Sequence, residues 1–365
     1  MRIGLVIYGS LDTISGGFVY DRKLVQYLRQ QGDEVEVVSL PWRAYGRALL
    51  DNFSAALLNR LRQASFDLLV QDELVHPSFF WLNRRLRRLV SYPIIAIVHH
   101  LLSREARPAW QNRLYGAVER QYLQTVHGFV FISRTTRADV ERLVGPGRPG
   151  VLAYPGGNRL KGSVSPGEIA ARAAAAGPLK ILSVANLIPR KEVHTLLTAL
   201  ACLPREGWQL KVVGNLTLDP AYVRSIRRQI EVLGLTSQVW LLGTLPDADL
   251  ARLMAQSHLL AVPSSYEGLG IAYLEGMKFG LPAIASTGGA AREVISHGVD
   301  GCLVPPGDPA ALARGLSQFI QDRGRLLKMS LAARQHAAGH PTWEAARARV
   351  HRFLHRFPRF DGNPA

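Results

Sequence analysis

Residues 264–280 read SSYEGLGIAYLEGMKFG and carry the densest set of groups suited to chemistry. An apolar run, HLLAVPSS, leads into a turn with Gly268 and Gly270, and a helical pattern begins near Ile271. Glycines in such a turn let backbone N–H groups converge, and a helix N-terminus favours an anion such as phosphate. Glu267 falls in the turn and Glu275 about one turn into the helix. Each carboxylate can accept hydrogen bonds from hydroxyls, in which a sugar or a ribose is rich. A plainer arrangement fits the same spacing, with Glu267 capping the helix and Glu275 on the surface.

Other candidates lie at the ends of apolar runs. Gly16 and Gly17 follow the first strand, where small residues permit close backbone approach to a diphosphate or an acceptor. His99 and His100 end PIIAIVHH, and a neutral imidazole there could hydrogen-bond a hydroxyl. The stretch SVANLIPRKEVHTLL holds Arg190 and Lys191, two cations able to meet an anion. No Asp-x-Asp pair offers a metal site, since Asp247-Ala248-Asp249 follows Pro246 at a helix start and reads as capping.

These groups must be positioned by the elements around them. In the first half, IGLVIYG, DEVEVVSL, FDLLVQD, PIIAIVHH, GFVFIS and GVLAYP read as strands, alternating with amphipathic helices such as FVYDRKLVQYLRQQG. After a glycine- and alanine-rich break, LKILSVANL, QLKVVGN, VWLLGTL, HLLAVPSS, PAIAS and GCLVPP repeat the pattern. The expectation is an α/β chain of two facing Rossmann-like, doubly wound domains with a cleft between them. The divisions expected are an N-terminal domain over 1–160, a linker over 161–178, a C-terminal domain over 179–340, and a helix and tail over 341–365.

The length of 365 residues agrees with two cores rather than one. Apolar content of 47% excludes a disordered chain, and no apolar run reaches the roughly 20 residues of a membrane span. Two cysteines, Cys202 and Cys302, make neither a disulfide framework nor a metal cluster and favour a reducing compartment. The excess of 44 Lys+Arg over 28 Asp+Glu, a net charge of +16, points to an anionic partner. The charge is densest from Arg84 to Arg113, where seven arginines stand with one acid, Glu105. WLNRRLRRLV there reads as a basic amphipathic helix suited to anionic lipid or a phosphorylated acceptor. Zinc-finger and RNA-binding signatures are missing from the sequence, so no nucleic-acid partner is expected.

The Glu-Gly-x-Gly from Glu267 to Gly270, with a second glutamate eight positions after the first, resembles the hallmark of retaining GT-B glycosyltransferases of the family-4 type. The likeness extends to the loop at Ser15, Gly16 and Gly17, to HGFVFISRTTRADV, to YPGGN and to SVANLIPRKEVHTLL. It implies a hexosyltransferase that uses a nucleotide-diphosphate sugar with no metal or other cofactor. Glu267 then lies beside the transferred sugar and Glu275 at the ribose. Leu269, Gly270 and Ile271 offer amides to sugar and diphosphate, and Lys191 meets the diphosphate. His99 stands near the reacting carbon. The family's usual arginine position is Asn186 here, which makes Arg190 the second cation, and its usual glycine after the lysine is Glu192. The acceptor expected is a glycan, a lipid or a small-molecule hydroxyl. The expected place is cytoplasmic, with an anionic membrane surface as a further candidate partner. A GT-B protein that binds a nucleotide sugar or glycan without transfer, and a nucleotide-sugar epimerase of the same plan, are the alternatives.

Overall fold

The structure, a computed structural model, describes residues 1–13 and 15–357. The chain divides into two compact units, Met1–Pro155 with Glu344–Ala365, and Gly156–Trp343. In the first unit the strands are β1 (Arg2–Tyr8), β2 (Glu34–Leu40), β3 (Leu68–Asp72), β4 (Ile94–Val98), β5 (Gly128–Phe131) and β6 (Gly150–Leu152). They form one parallel sheet in the order β2-β1-β3-β4-β5-β6. The second unit holds β7 (Leu179–Val184), β8 (Trp208–Val213), β9 (Val239–Gly243), β10 (Leu259–Val262), β11 (Ala283–Ser286) and β12 (Gly301–Val304). Their order is β12-β11-β10-β7-β8-β9, again all parallel. All twelve strands fall on the apolar runs picked out from the sequence, and each unit is Rossmann-like.

Strands covered on both faces must be apolar at successive positions. β4, IIAIV, is buried at all five residues, and β10, LLAV, at all four. Helices packed on each sheet complete two separate cores. One gathers Phe79, Leu82, Tyr122 and Phe129, and the other gathers Leu196, Trp208, Leu316 and Phe319.

The structure draws the division between the units differently from the sequence expectation. The boundary is at Pro155/Gly156, and residues 161–178, read from the sequence as a linker with one short helix, fall inside the second unit. They carry the helix Pro166–Ala174, closed by a capping box between Ser165 and Glu168 and buried at Ile169 and Ala173. The helix Trp343–Leu354 runs into the first unit, where Arg347 reaches the carbonyl of Lys23 at 3.4 Å and Arg349 that of Leu152 at 3.1 Å. The last eight residues of the expected tail lie outside the described residues. WLNRRLRRLV also differs from expectation, with only Leu82–Leu86 of it helical. Leu82, Asn83 and Leu86 are buried, and Asn83 pairs with Gln71 of β3 at 2.9 and 3.0 Å. Arg84, Arg87 and Arg88 are left exposed.

Candidate active site

Ligands of open α/β sheets collect beyond the carboxyl ends of the strands, where the winding reverses. In the second unit that point lies between β7 and β10. The loop after β7 carries Arg190 and Lys191, and the loop after β10 carries Glu267. The two loops are tied directly: the Ser265 amide donates to the Arg190 carbonyl at 2.9 Å, and the Arg190 guanidinium donates to the Tyr266 carbonyl at 2.8 Å. Lys191 Nζ donates to Glu267 Oε1, as does the Ser264 hydroxyl at 2.6 Å, and Arg190 stands 3.8 Å from Glu267 Oε2. Burial alone would raise the Glu267 carboxyl. Lys191 and Arg190 overcome it and hold the group down at about 2. Glu267 is therefore an ionised acceptor between two cations, which replaces the plainer arrangement of a helix cap.

Glycines let the chain close around it. The Glu267 amide donates to the Gly288 carbonyl at 3.2 Å and the Glu267 carbonyl accepts from Ala290 at 2.8 Å. Gly289 has φ +77, and a Cβ on it would stand 2.1 Å from the Glu267 carbonyl oxygen. Gly270, at φ +93, precedes the helix Ile271–Lys278. That helix presents its first amides, at Ile271, on the same turn as buried Leu269. Glu192 is the one non-glycine with positive φ among the described residues, at +56. The backbone there keeps the left-handed shape for which the family's glycine is suited, although a glutamate occupies it. Asn186 does not reach toward Glu267; its side-chain oxygen accepts from the Asn215 amide at 3.0 Å.

Glu275 is 3% exposed, so it is not the surface group of the plainer arrangement. Both its oxygens meet Arg159, Nε to Oε1 at 2.5 Å and NH2 to Oε2 at 3.0 Å. Arg159 also pairs with Asp247, and Asp249 pairs with Arg252. Neither aspartate side chain caps the helix Asp247–Gln256, so the capping expected of them is corrected. Charge pairing with two arginines engages them instead.

In the first unit the winding reverses between β1 and β3. Gly16 and Gly17 open the helix Gly16–Gln30, whose N-cap is Ser15. His99 follows β4, and a Cβ on Gly17 would stand 3.2 Å from its ring. One turn after Gly17 on the same helix, Asp21 meets His99 Nε2 at 3.1 Å, both groups buried. Burial pushes the imidazole down, but Asp21, Asp72 and Glu73 together push it up to about 9. His99 is an imidazolium at neutral pH rather than the neutral ring expected. His100 turns to Glu105, at 2.7 Å.

Sequence reading passed over Asp21, Asp72, Arg159 and Ser264. Asp72 ends β3 in QDELVH and so obeyed the strand-end rule that found His99. Asp21 had a weaker signal, four residues after Gly17 on one helical face. Arg159 had none.

The model described as "Glycosyl transferase 4-like domain" matches residues 18–156, and "Glycosyl transferases group 1" matches residues 167–336. The chain belongs to the family-4-type GT-B glycosyltransferases. Among curated members it is similar to the GDP-mannose-dependent alpha-(1-6)-phosphatidylinositol monomannoside mannosyltransferase of Mycobacterium tuberculosis, 28% identical over 48% of this chain and 46% of that one. The chain spans about half the length of that relative. Among solved structures this chain resembles sucrose-phosphate synthase from Thermosynechococcus elongatus, with TM-score 0.82 and 22% identity over 97% of this chain and 98% of that one. It also resembles Anabaena HepE in complex with UDP and glucose, with TM-score 0.76 and 22% identity over 98% and 100% of the two chains. Both likenesses bear on the fold.

Proposed function

We propose that this family-4-type chain is a retaining hexosyltransferase that moves a sugar from a nucleotide-diphosphate sugar to a hydroxyl, with no metal at the diphosphate. The observation that carries the reading is the pair Arg190 and Lys191 held around ionised Glu267 at the β7/β10 reversal. When the anomeric C–O bond breaks, the diphosphate leaves with the electron pair. Fixed cations and the amides at Gly270 and Ile271 stabilise that charge without reorganising. Glu267, kept ionised, accepts hydrogen bonds from sugar hydroxyls and opposes the positive charge developing on the ring. The acceptor hydroxyl forms the new C–O bond on the same face and passes its proton to the departing phosphate. Glu275 serves the ribose through a carboxylate that Arg159 fixes in place. Gly16 and Gly17 are assigned to the donor diphosphate or the acceptor, and His99 to the reacting sugar carbon. The GDP-mannose and UDP named for the relatives support the donor class.

The test is a panel of nucleotide sugars and acceptors, read as released nucleoside diphosphate. Glu267→Ala is expected to lower turnover by about 100- to 1000-fold. Full turnover in that variant would overturn the site. Tight donor binding with no turnover on any acceptor would make the chain a binding protein, and donor isomerisation without an acceptor an epimerase.

A lipid acceptor at a membrane is the second part of the proposal. Among the described residues no helix is long and apolar enough to cross a bilayer. Trp42, Leu50, Phe53, Trp81, Leu89, Trp110 and Leu114 are exposed on the first unit, as are Arg84, Arg88 and Arg113, and the Arg84 guanidinium lies 5.6 Å from the Trp81 ring centroid. Aromatic and aliphatic groups beside arginines suit the headgroup boundary of an anionic cytoplasmic leaflet. The relative named for a phosphatidylinositol monomannoside supports the same acceptor class. Each arginine near such a surface is worth about 1 kcal/mol, so Arg84→Ala with Arg88→Ala should weaken binding to anionic vesicles roughly 30-fold. Equal binding of the wild type to neutral and anionic vesicles would refute the membrane proposal.

A further inference from the structure

The first unit buries more acid than its buried bases answer. Glu73 follows β3, His76 lies one turn later, and Glu119 comes from the helix Ala109–Leu123; all three are 0% exposed. One ligand atom from each lies within 4.8 Å of the other two. Among the described residues no lysine or arginine forms an ion pair with Glu73 or Glu119. Glu119 accepts from the Ser103 amide at 3.1 Å and from the Ser103 hydroxyl. The Glu73 carboxylate accepts no hydrogen bond on either oxygen, although His76 Nδ1 stands 3.1 Å from Oε1. A second buried group, on a different element, is also unsatisfied. The Tyr122 hydroxyl has no hydrogen-bond partner, its ring centroid is 6.4 Å from that of His76, and it follows Glu119 by three residues on one helical face. Buried carboxylate without a donor is costly unless it is protonated or coordinated.

We propose that Glu73, His76 and Glu119 hold one divalent ion of the zinc class within the first unit, with the Tyr122 hydroxyl beside it. Zinc binds imidazole nitrogen and carboxylate oxygen at about 2.0–2.2 Å in a tetrahedron, which places two ligands of one ion about 3.3–3.6 Å apart. His76 Nδ1 and Glu73 Oε1, 3.1 Å apart, already stand near that separation, and a side-chain rotation that brings Glu119 in by up to about 1.3 Å completes the set. The ion's two positive charges balance the two carboxylates. The imidazole in the donor set favours zinc over magnesium, calcium and manganese. His76 coordinates through Nδ1, which moves its proton to Nε2. That nitrogen already stands 3.1 Å from the Tyr45 hydroxyl, which then accepts the Nε2–H hydrogen bond as support, while Nδ1 gives up its 3.1 Å contact with the Glu73 carbonyl. The ion is structural. It joins the segment after β3 to the helix Ala109–Leu123, and it is separate from the cations proposed for the diphosphate in the other unit.

The test reads metal content and unfolding, so its result is independent of any transfer activity. The full chain is treated with EDTA, exchanged into metal-free buffer, and reloaded with zinc chloride or manganese chloride. Mass spectrometry of the washed protein should count about one ion per chain, and the melting temperature should rise by about 5–10 °C on reloading. The near-isosteric Glu73→Gln and Glu119→Gln should each lose both the ion and the response. A wild type that takes up neither metal and whose melting temperature does not move overturns the proposal, whether or not the variants fold. Uptake that survives in both variants overturns it too, as does a Glu73→Gln chain more stable than the metal-loaded wild type at pH 7.

Discussion

Replacing Lys191 with methionine tests the electrostatic core of the candidate site. The Glu267 carboxyl is held at about 2 in the folded chain against an ordinary 4.5. Its folded value is depressed, so the linked stability is present above pH 4.5 and is lost as pH falls toward 2. The difference amounts to about 3 kcal/mol, of which Lys191 supplies the largest attractive part, ahead of Arg190. Lys191→Met keeps the aliphatic stem and leaves Glu267 buried beside one cation at 3.8 Å. The expected loss at pH 7 is about 3 kcal/mol, or roughly 6–12 °C in the melting temperature of a unit this size. Urea unfolding of Lys191→Met, Glu267→Gln and the double variant closes a cycle. The double variant should recover about 2 kcal/mol relative to the sum of the singles, because no uncompensated charge remains. In the single variant burial raises the carboxyl again, so protonation relieves the charge, and the gap to wild type should narrow from pH 7 to pH 5. A coupling below about 0.5 kcal/mol, with a gap that ignores pH, would refute the reasoning.

Two further outcomes follow from the second unit. His258 accepts from the Lys180 amide at 2.9 Å through Nδ1, and its Nε2 meets the Arg172 carbonyl at 3.0 Å; burial, with nearby arginines, holds the ring down at about 4. The unfolded chain then binds the extra proton between pH 6.5 and 4, so the contribution of His258 to stability should fall by about 2 kcal/mol from pH 7 to pH 5, and His258→Gln should change the pH slope by that amount in urea titrations. Gly289→Ala would force a Cβ against the Glu267 carbonyl at positive φ, and a loss of about 2 kcal/mol or more should appear in thermal melts, together with weaker donor binding in calorimetry.

The sequence by itself determined the strands and both main loops of the site. Runs such as IIAIV and LLAV are apolar at successive positions, and only strands covered on both faces tolerate that in this alternation with helices. The same logic put Lys191, Glu267 and His99 at strand ends, where ligands of such sheets collect. It also placed Gly270 where a positive φ is needed.

Tertiary structure decided the rest, because the rest depends on partners distant in the chain. Whether Glu267 capped a helix or faced cations rested on Lys191, 76 residues away. Glu275 was left between a surface and a buried place until Arg159, 116 residues away, took both its oxygens. The charge on His99 was set by Asp21 across 78 residues, against the neutral ring that strand-end position alone suggested. The basic segment could be read as one long helix because the pattern showed its leucines, while the buried Asn83 that anchors it to β3 looked polar and external. Periodicity reports which face a residue occupies; it carries no information about which charge waits on the other side.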